Sequence, residues 1–393
     1  MRKVIIMTSQ ESFHNNYGAA LQGYALYQTI MDIGYSPAIV KYRGGQFPTG
    51  GKSEKYFYTK RFFSRAYHKL VKTPEEKKHA SIVKKYKIEI EKRESLFHSF
   101  ANENMTYWSE KSVEWRDLKK NCPLADYYVC GSDQIWNPYF KYGENDPGYF
   151  LAFAPESSIK IAYAPSFGCS DIPSTAQTTL KQYLKTFSAI SVREKSGVDI
   201  IKKYTELDSK WVLDPTLLRT PEQWKAISRM PKDVPEKYIL CYRFADSEAT
   251  RNAISNASES LGLPVISLPL SDVSLEDNDR FIFDAGPREF VGLIQNASLV
   301  CTDSFHATVF SLLMKTPVCV FLRENYISGN SMNSRVYSLL EMFGLQNLIK
   351  TEADSDYKVL DALNVDYTQA HTLLDKYREE SLVYLSNSFK TEV

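Results

Sequence analysis

The residues that could do chemistry in this chain are gathered in four short stretches: NNYGA (15–19), GSDQIW (131–136), SVRE (191–194) and TDSFHA (302–307). In the last, His306 follows Asp303 and Ser304 where an apolar run ends and a helical pattern begins. Ser304 or Asp303 would cap that helix and place His306 in its first turn. A helix N-terminus disfavours an imidazolium, but an anion bound there reverses the preference, so such a histidine could hold a proton near neutrality and donate it. The alternative is a packed, structural histidine. Asp133 could take a proton from a hydroxyl, with Gln134 beside it and Trp136 free to stack on a sugar ring; an Asx-type turn over a buried Trp136 is the other reading. Arg193 could clamp a phosphate or carboxylate through two parallel hydrogen bonds, or pair with a surface acid such as Glu194. In NNYGA, Gly18 would let an anion approach the first turn of a helix, whereas Asn15 or Asn16 could simply cap it.

These stretches need elements to hold them. KVIIM (3–7) reads as a buried strand, and AALQGYALYQTIMDIG carries apolar residues at Ala20, Tyr24, Tyr27 and Met31, the spacing of a helix that stops near Gly34. SPAIVKY (36–42) completes a β-α-β opening. The rhythm resumes with strands in ADYYVCGSDQIW (125–136), KIAYAPSFG (160–168), FSAISV and KWVLDPTLL (210–218). Three prolines and many charges in 219–236 suggest a linker. A second set follows: strand KYILCYRF, a helix to about Leu261, strands PVISLPL and RFIFDAG, helix PREFVGLIQNA, strand SLVCT, a helix from about Phe305 to Met314, and strand PVCVFL. The expected fold is α/β, two doubly wound Rossmann-like domains facing a cleft. It divides into an N-terminal acceptor-side domain (1–218), the linker, a C-terminal donor-side domain (237–350), and a helical tail (351–393) for which a crossing back to the first domain is one option. Ligands of open parallel sheets sit outside the C-terminal strand ends, and all four stretches lie at such ends.

Composition narrows the class further. The chain has 393 residues, 43% apolar and 24% charged, with no run long enough to span a membrane and no secretion signal at its start. A cytoplasmic protein is expected. Its six cysteines form no C-x-x-C pair, so neither a zinc site nor a disulfide framework is expected. GQFPTGGKS resembles a phosphate-binding loop but has Gln46 where the first glycine is needed, and DND (277–279) sits in an acidic loop. Net charge is +1, yet residues 52–93 carry 14 Lys and Arg against 5 Asp and Glu. This basic, aromatic segment lies in a helical insertion (about 52–105) and is either a solvated arm or a surface for anionic polymer or lipid at the inner membrane face.

Taken in order, GAALQGYAL, GSDQIWNP, AYAPSFG, SVREKSG, VLDPTLL and TDSFHATVFSLLMKTPV resemble the polysaccharide pyruvyl transferases over most of the chain. The resemblance implies a GT-B-like architecture, no cofactor, phosphoenolpyruvate as donor, and transfer of pyruvyl to a sugar or lipid-linked oligosaccharide with release of phosphate. It carries over His306 and, as the anion clamp, Arg193; the chemistry then suits His306 as the acid and Asp133 as the base. Arg193, Ser304, Phe305, Arg335 and Gly18 would face the donor, and Asn16, Tyr17, Gln134 and Trp136 the acceptor. Many members carry arginine two residues before the histidine; here that residue is Ser304, so Arg335 or Arg323 would have to supply the charge. A nucleotide-sugar glycosyltransferase of the same architecture and a non-catalytic glycan-binding protein are the other two classes; nucleic acid is not an expected partner.

Overall fold

A computed structural model describes residues 1–9, 16–45, 84–140, 146–245, 247–269, 280–283, 285–323, 333–351 and 355–390. The phosphate-loop look-alike beyond Gly45, the DND triplet, Asn15 and residues 52–83 of the basic segment lie outside them. The first domain runs β1 (Lys3–Met7), α1 (Tyr17–Asp32), β2 (Ser36–Ile39), α2 (Lys87–Asn104), α3 (Trp115–Lys120), β3 (Tyr127–Cys130), β4 (Ile159–Ala162), α4 (Ser174–Leu184), β5 (Ala189–Val192), α5 (Lys195–Thr205) and β6 (Lys210–Trp211). Its six strands are parallel, in the order β2-β1-β3-β4-β5-β6. Strand β1 alternates between two cores: Val4 and Ile6 face one, Ile5 and Met7 the other. Such two-sided burial is what an unbroken apolar run means in a parallel sheet.

The second domain follows two short helices, α6 (Pro215–Leu218) and α7 (Pro221–Ile227). It comprises β7 (Ile239–Tyr242), α8 (Glu248–Leu261), β8 (Val265–Ser267), β9 (Arg280–Phe281), α9 (Pro287–Asn296), β10 (Leu299–Thr302), α10 (Phe305–Met314), β11 (Val318–Phe321), α11 (Ser334–Phe343) and β12 (Ile349–Lys350). The sheet order is β12-β11-β10-β7-β8-β9, again all parallel. The strand order reverses between β7 and β10, and in the first sheet between β1 and β3; these switch points are where ligands of such sheets bind.

Two local expectations fail for the same reason. KWVLDPTLL keeps only a two-residue strand, because Pro215 cannot donate to a ladder and instead opens α6, capped by Asp214 whose side chain accepts from Thr216 N. The linker reading of 219–236 missed α7, which has Pro221 in its first turn and a capping box between Thr220 and Gln223. The helix α1 is buried almost all round rather than along one stripe, and Met31, expected inside, is exposed. Of the basic segment, the described part enters α2, where Arg93 is buried and donates to Pro269 O of the second domain, so this cation is not available to a membrane. The C-terminal helix α12 (Thr368–Ser388) returns to the first domain: Ser381 Oγ accepts from Leu213 N at 3.1 Å, Arg378 Nε donates to Leu217 O at 2.8 Å, and Phe389 stacks on Tyr35.

Candidate functional site

The C-terminal strand ends of both sheets converge on a cavity of about 350 Å³. From the first domain it receives Asn16 at the start of α1 and Asp133 and Gln134 after β3; from the second, Ser304 and His306 at the start of α10, Arg323 after β11 and Arg335 in α11. Its apolar walls include Tyr149, Phe244 and Phe305.

The turn after β3 is held tightly. A Cβ on Gly131 (φ +126°) would lie 1.9 Å from Tyr163 O, so only glycine lets the chain leave the strand there. Asp133 itself has φ +68°, a left-handed conformation that aspartate tolerates better than most residues and that often marks a functional turn. Ser132 N donates to Gln22 Oε1 at 3.0 Å, tying the turn to α1.

Behind Asp133 lies a buried charge network. The Arg193 guanidinium is fully buried, donates to Asp214 at 2.7 Å and to Asp133 at 3.4 Å, and has Glu194 at 3.9 Å. Burial works against this cation, but Asp214, Asp133 and Glu194 outweigh it and raise Arg193 above its ordinary pKa. Burial alone would push the Asp214 carboxyl up; contacts with His306, Arg193 and Thr216 instead hold it well below the usual carboxylate range. Asp214 Oδ2 accepts from Arg193 and from Ser132 Oγ (3.0 Å), while Oδ1 accepts from Thr216 N (3.0 Å) and Oγ1 (2.7 Å).

His306 sits at the junction of this network and the cavity. Ser304 Oγ caps α10 by accepting from Ala307 N, which places His306 in the first turn as its spacing predicts. Its Nε2 is 3.8 Å from Asp214 Oδ2, buried, and without a hydrogen-bond partner among the described residues. Its other face rests on Gly18: a Cβ there would come 2.0 Å from Nδ1.

The positive charge that reaches the cavity comes from Arg323 and Arg335. Arg323 donates to Asp303 at 3.3 Å and lies over the Phe244 ring; Asp303 in turn accepts from Phe244 N and Ala245 N, fixing the loop after β7. Arg335 is buried, with its Nε unpaired among the described residues. Burial, then repulsion from Arg193 and Arg323, lowers it to about 9. An anion in the cavity would relieve that repulsion.

The structure therefore brings together Asn16, Asp133, Gln134, Ser304, Phe305, His306 and Arg335. It removes others from ligand contact. Trp136 is no stacking platform: it is buried in the core that Ile5 and Met7 face, stacked on Phe150, with Nε1 donating to Tyr149 O. Tyr17 is buried between the domains, stacked on Phe290 and donating to Ala285 O. Gly18 touches His306 rather than a donor. Arg193 does not line the cavity, and its guanidinium is engaged by acids; it positions Asp133 and Asp214 rather than standing open to an anion. Asp214 and Asp303 were missed as site residues. The Asp-Pro-Thr start of α6 announced a cap, but the charge role of Asp214 required neighbours distant in sequence.

A family model for polysaccharide pyruvyl transferase matches residues 16–325. Among curated proteins, the chain is 22% identical to general stress protein 30 of Bacillus subtilis (strain 168) over 269 residues, 66% of this chain and 73% of that one. Among solved structures, it resembles MnaA of S. aureus in complex with UDP (TM-score 0.51, 10% identity, 95% and 91% of the two chains covered). It also resembles UDP-GlcNAc 2-epimerase of Methanocaldococcus jannaschii (TM-score 0.51, 11% identity, 94% and 93% covered). At such identities these two likenesses speak for the fold alone, two Rossmann-like domains in a GT-B-like pair. With the family model covering most of its length, from the start of α1 to just past Arg323, the chain belongs to the polysaccharide pyruvyl transferase family.

Proposed function

We propose that this enzyme transfers pyruvyl from phosphoenolpyruvate to two hydroxyls of a sugar in a surface or capsular polysaccharide precursor, forming a pyruvate ketal and releasing phosphate. The observation that carries this reading is the single cavity that holds His306, Asp133, Arg323 and Arg335 together. Phosphoenolpyruvate bears a carboxylate and a phosphate, and two arginines beside the N-terminus of α10 suit a ligand with two anionic groups. His306 gives its proton to the methylene carbon, which becomes a methyl group and leaves C2 electrophilic. One sugar hydroxyl adds to C2 and loses its proton to Asp133. The second hydroxyl displaces phosphate, whose oxygen takes the remaining proton, and the ketal closes. Charge neutralisation comes from the arginines, so no cofactor is called for. The acceptor in this reading is a sugar or lipid-linked oligosaccharide met on the cytoplasmic side.

The test is direct. Purified enzyme with phosphoenolpyruvate and candidate lipid-linked sugars should release inorganic phosphate only when both are present and yield an acid-labile ketal by mass spectrometry. Thermal-shift measurements run beside it should show stabilisation by phosphoenolpyruvate and none by nucleotide sugars. Consumption of a nucleotide sugar, with no phosphate released from phosphoenolpyruvate, would replace this reading with glycosyl transfer.

A further inference from the structure

A second cavity, of about 430 Å³, shares no lining residue with the first. It opens at the seam of three parts of the chain. Lys210 and Trp211 come from β6, Glu341 and Met342 from α11, and Tyr377, Glu380 and Ser381 from the returning helix α12. Lys195 of the first domain pairs with Glu341 of the second at 3.8 Å, bridging the seam. The volume lies within the range of small-molecule pockets, and such pockets favour domain boundaries.

Its lining narrows the ligand class. Trp211 is half-buried and held in place, its Nε1 donating to Arg193 O at 3.1 Å. Tyr377 is half-buried against Phe343. These rings present amphipathic walls, with exposed carboxylates of Glu341 and Glu380 and the exposed Lys210 ammonium around them. A purely apolar ligand would strip water from three charged groups without replacing it. An anion would meet two carboxylates. A cation would meet Lys210, with Glu341 already facing Lys195. A neutral polyol avoids each conflict: its C–H face packs on a ring, its hydroxyls donate to the carboxylates, and its oxygens accept from the ammonium.

We propose that this second cavity binds a neutral saccharide unit, apart from the site of chemistry. The assignment rests on this lining and does not depend on which donor the first cavity uses. Because its walls come from both domains and α12, occupancy holds those three parts together.

Calorimetry and tryptophan fluorescence with glucose, galactose, N-acetylglucosamine and their β-linked disaccharides test it without turnover. At least one sugar should bind and perturb the fluorescence. Tyr377→Ala should weaken it roughly tenfold, the worth of one aromatic contact. Glu380→Gln, a change at an exposed position, should weaken it as well with folding intact. His306→Gln should bind that sugar as the wild type does, which separates this site from the catalytic cavity. No response to any of these sugars at high millimolar concentration would overturn the proposal. So would equal affinity in both Tyr377→Ala and Glu380→Gln, or replacement of the sugar by spermidine in a salt-sensitive manner.

Discussion

In the proposed reaction, His306 is the side chain on which proton transfer depends. Replacing it with glutamine keeps a polar group of similar bulk but removes the exchangeable proton. The variant should fold normally by circular dichroism and lose about 10²–10⁴ in turnover, the usual worth of acid–base catalysis; unchanged turnover would remove His306 from the chemistry. Arg335 makes a different prediction. It is buried near two other arginines, with an Nε that has no partner among the described residues, an arrangement that should cost stability and that a bound anion would relieve. Arg335→Met should therefore raise the melting temperature by a few degrees while weakening phosphoenolpyruvate binding, both readable in one thermal-shift titration. The pH dependence has a definite sign. A cation lowered to about 9 in the folded protein loses its charge as pH rises past about 9, so donor affinity should fall there. The unfolded chain still binds that proton, so this group's contribution to stability rises with pH above the same point. A KM for phosphoenolpyruvate that stays flat to pH 10 would show that Arg335 does not set the pH dependence of donor binding. Arg193 looked from SVRE like the anion clamp; its side chain is engaged only because Asp133 and Asp214 fold onto it.

At the scale of elements, three pieces meet at one carboxylate: the turn after β3 through Ser132, the end of β5 through Arg193, and α6 through the cap on Thr216. Removing the charge of Asp214 should accordingly cost far more than a surface change. Asp214→Asn should destabilise by about 3–5 kcal/mol in urea, the penalty for breaking a buried ion pair, and Arg193→Met in the same chain should recover part of it. Helix α1 carries its own test. Glycine inside a helix ordinarily costs about 1 kcal/mol against alanine, yet alanine at position 18 would drive its Cβ into the His306 ring. Gly18→Ala should keep secondary structure and lose activity by at least about tenfold, because an ångström of misplacement at a reacting group is enough. Strands and helices themselves were readable where the signal is local: β1 and α10 stand where the apolar run and the cap put them. Helices α6 and α7 went unread because Pro was taken as a stop when it was in fact a start.

For the whole molecule, the question is what keeps two domains in register around the cleft. Tyr17 reaches across to Ala285 O, Trp224 packs against both Tyr24 and Phe310, and α12 returns to α6 and the residue Leu213 just before it. Tyr17→Phe keeps the stacking on Phe290 and loses only the hydrogen bond, which should cost about 1 kcal/mol in unfolding free energy and little activity. Among the described residues no helix is long and apolar enough to cross a membrane. The alternation of strand and helix and the placement of the four polar stretches at strand ends are legible in the chain alone, because each is set by residues within a turn or two of one another. Which charges are paired and which face the cavity follows only from the packing of distant segments. Asp133, Arg193, Asp214 and His306 come from different strand ends, and whether an arginine faces an acid or a cavity depends on how those ends are stacked. The same stacking turned Trp136 inward onto Phe150 and left Arg323 and Arg335 at the cavity wall, an outcome no local pattern encodes.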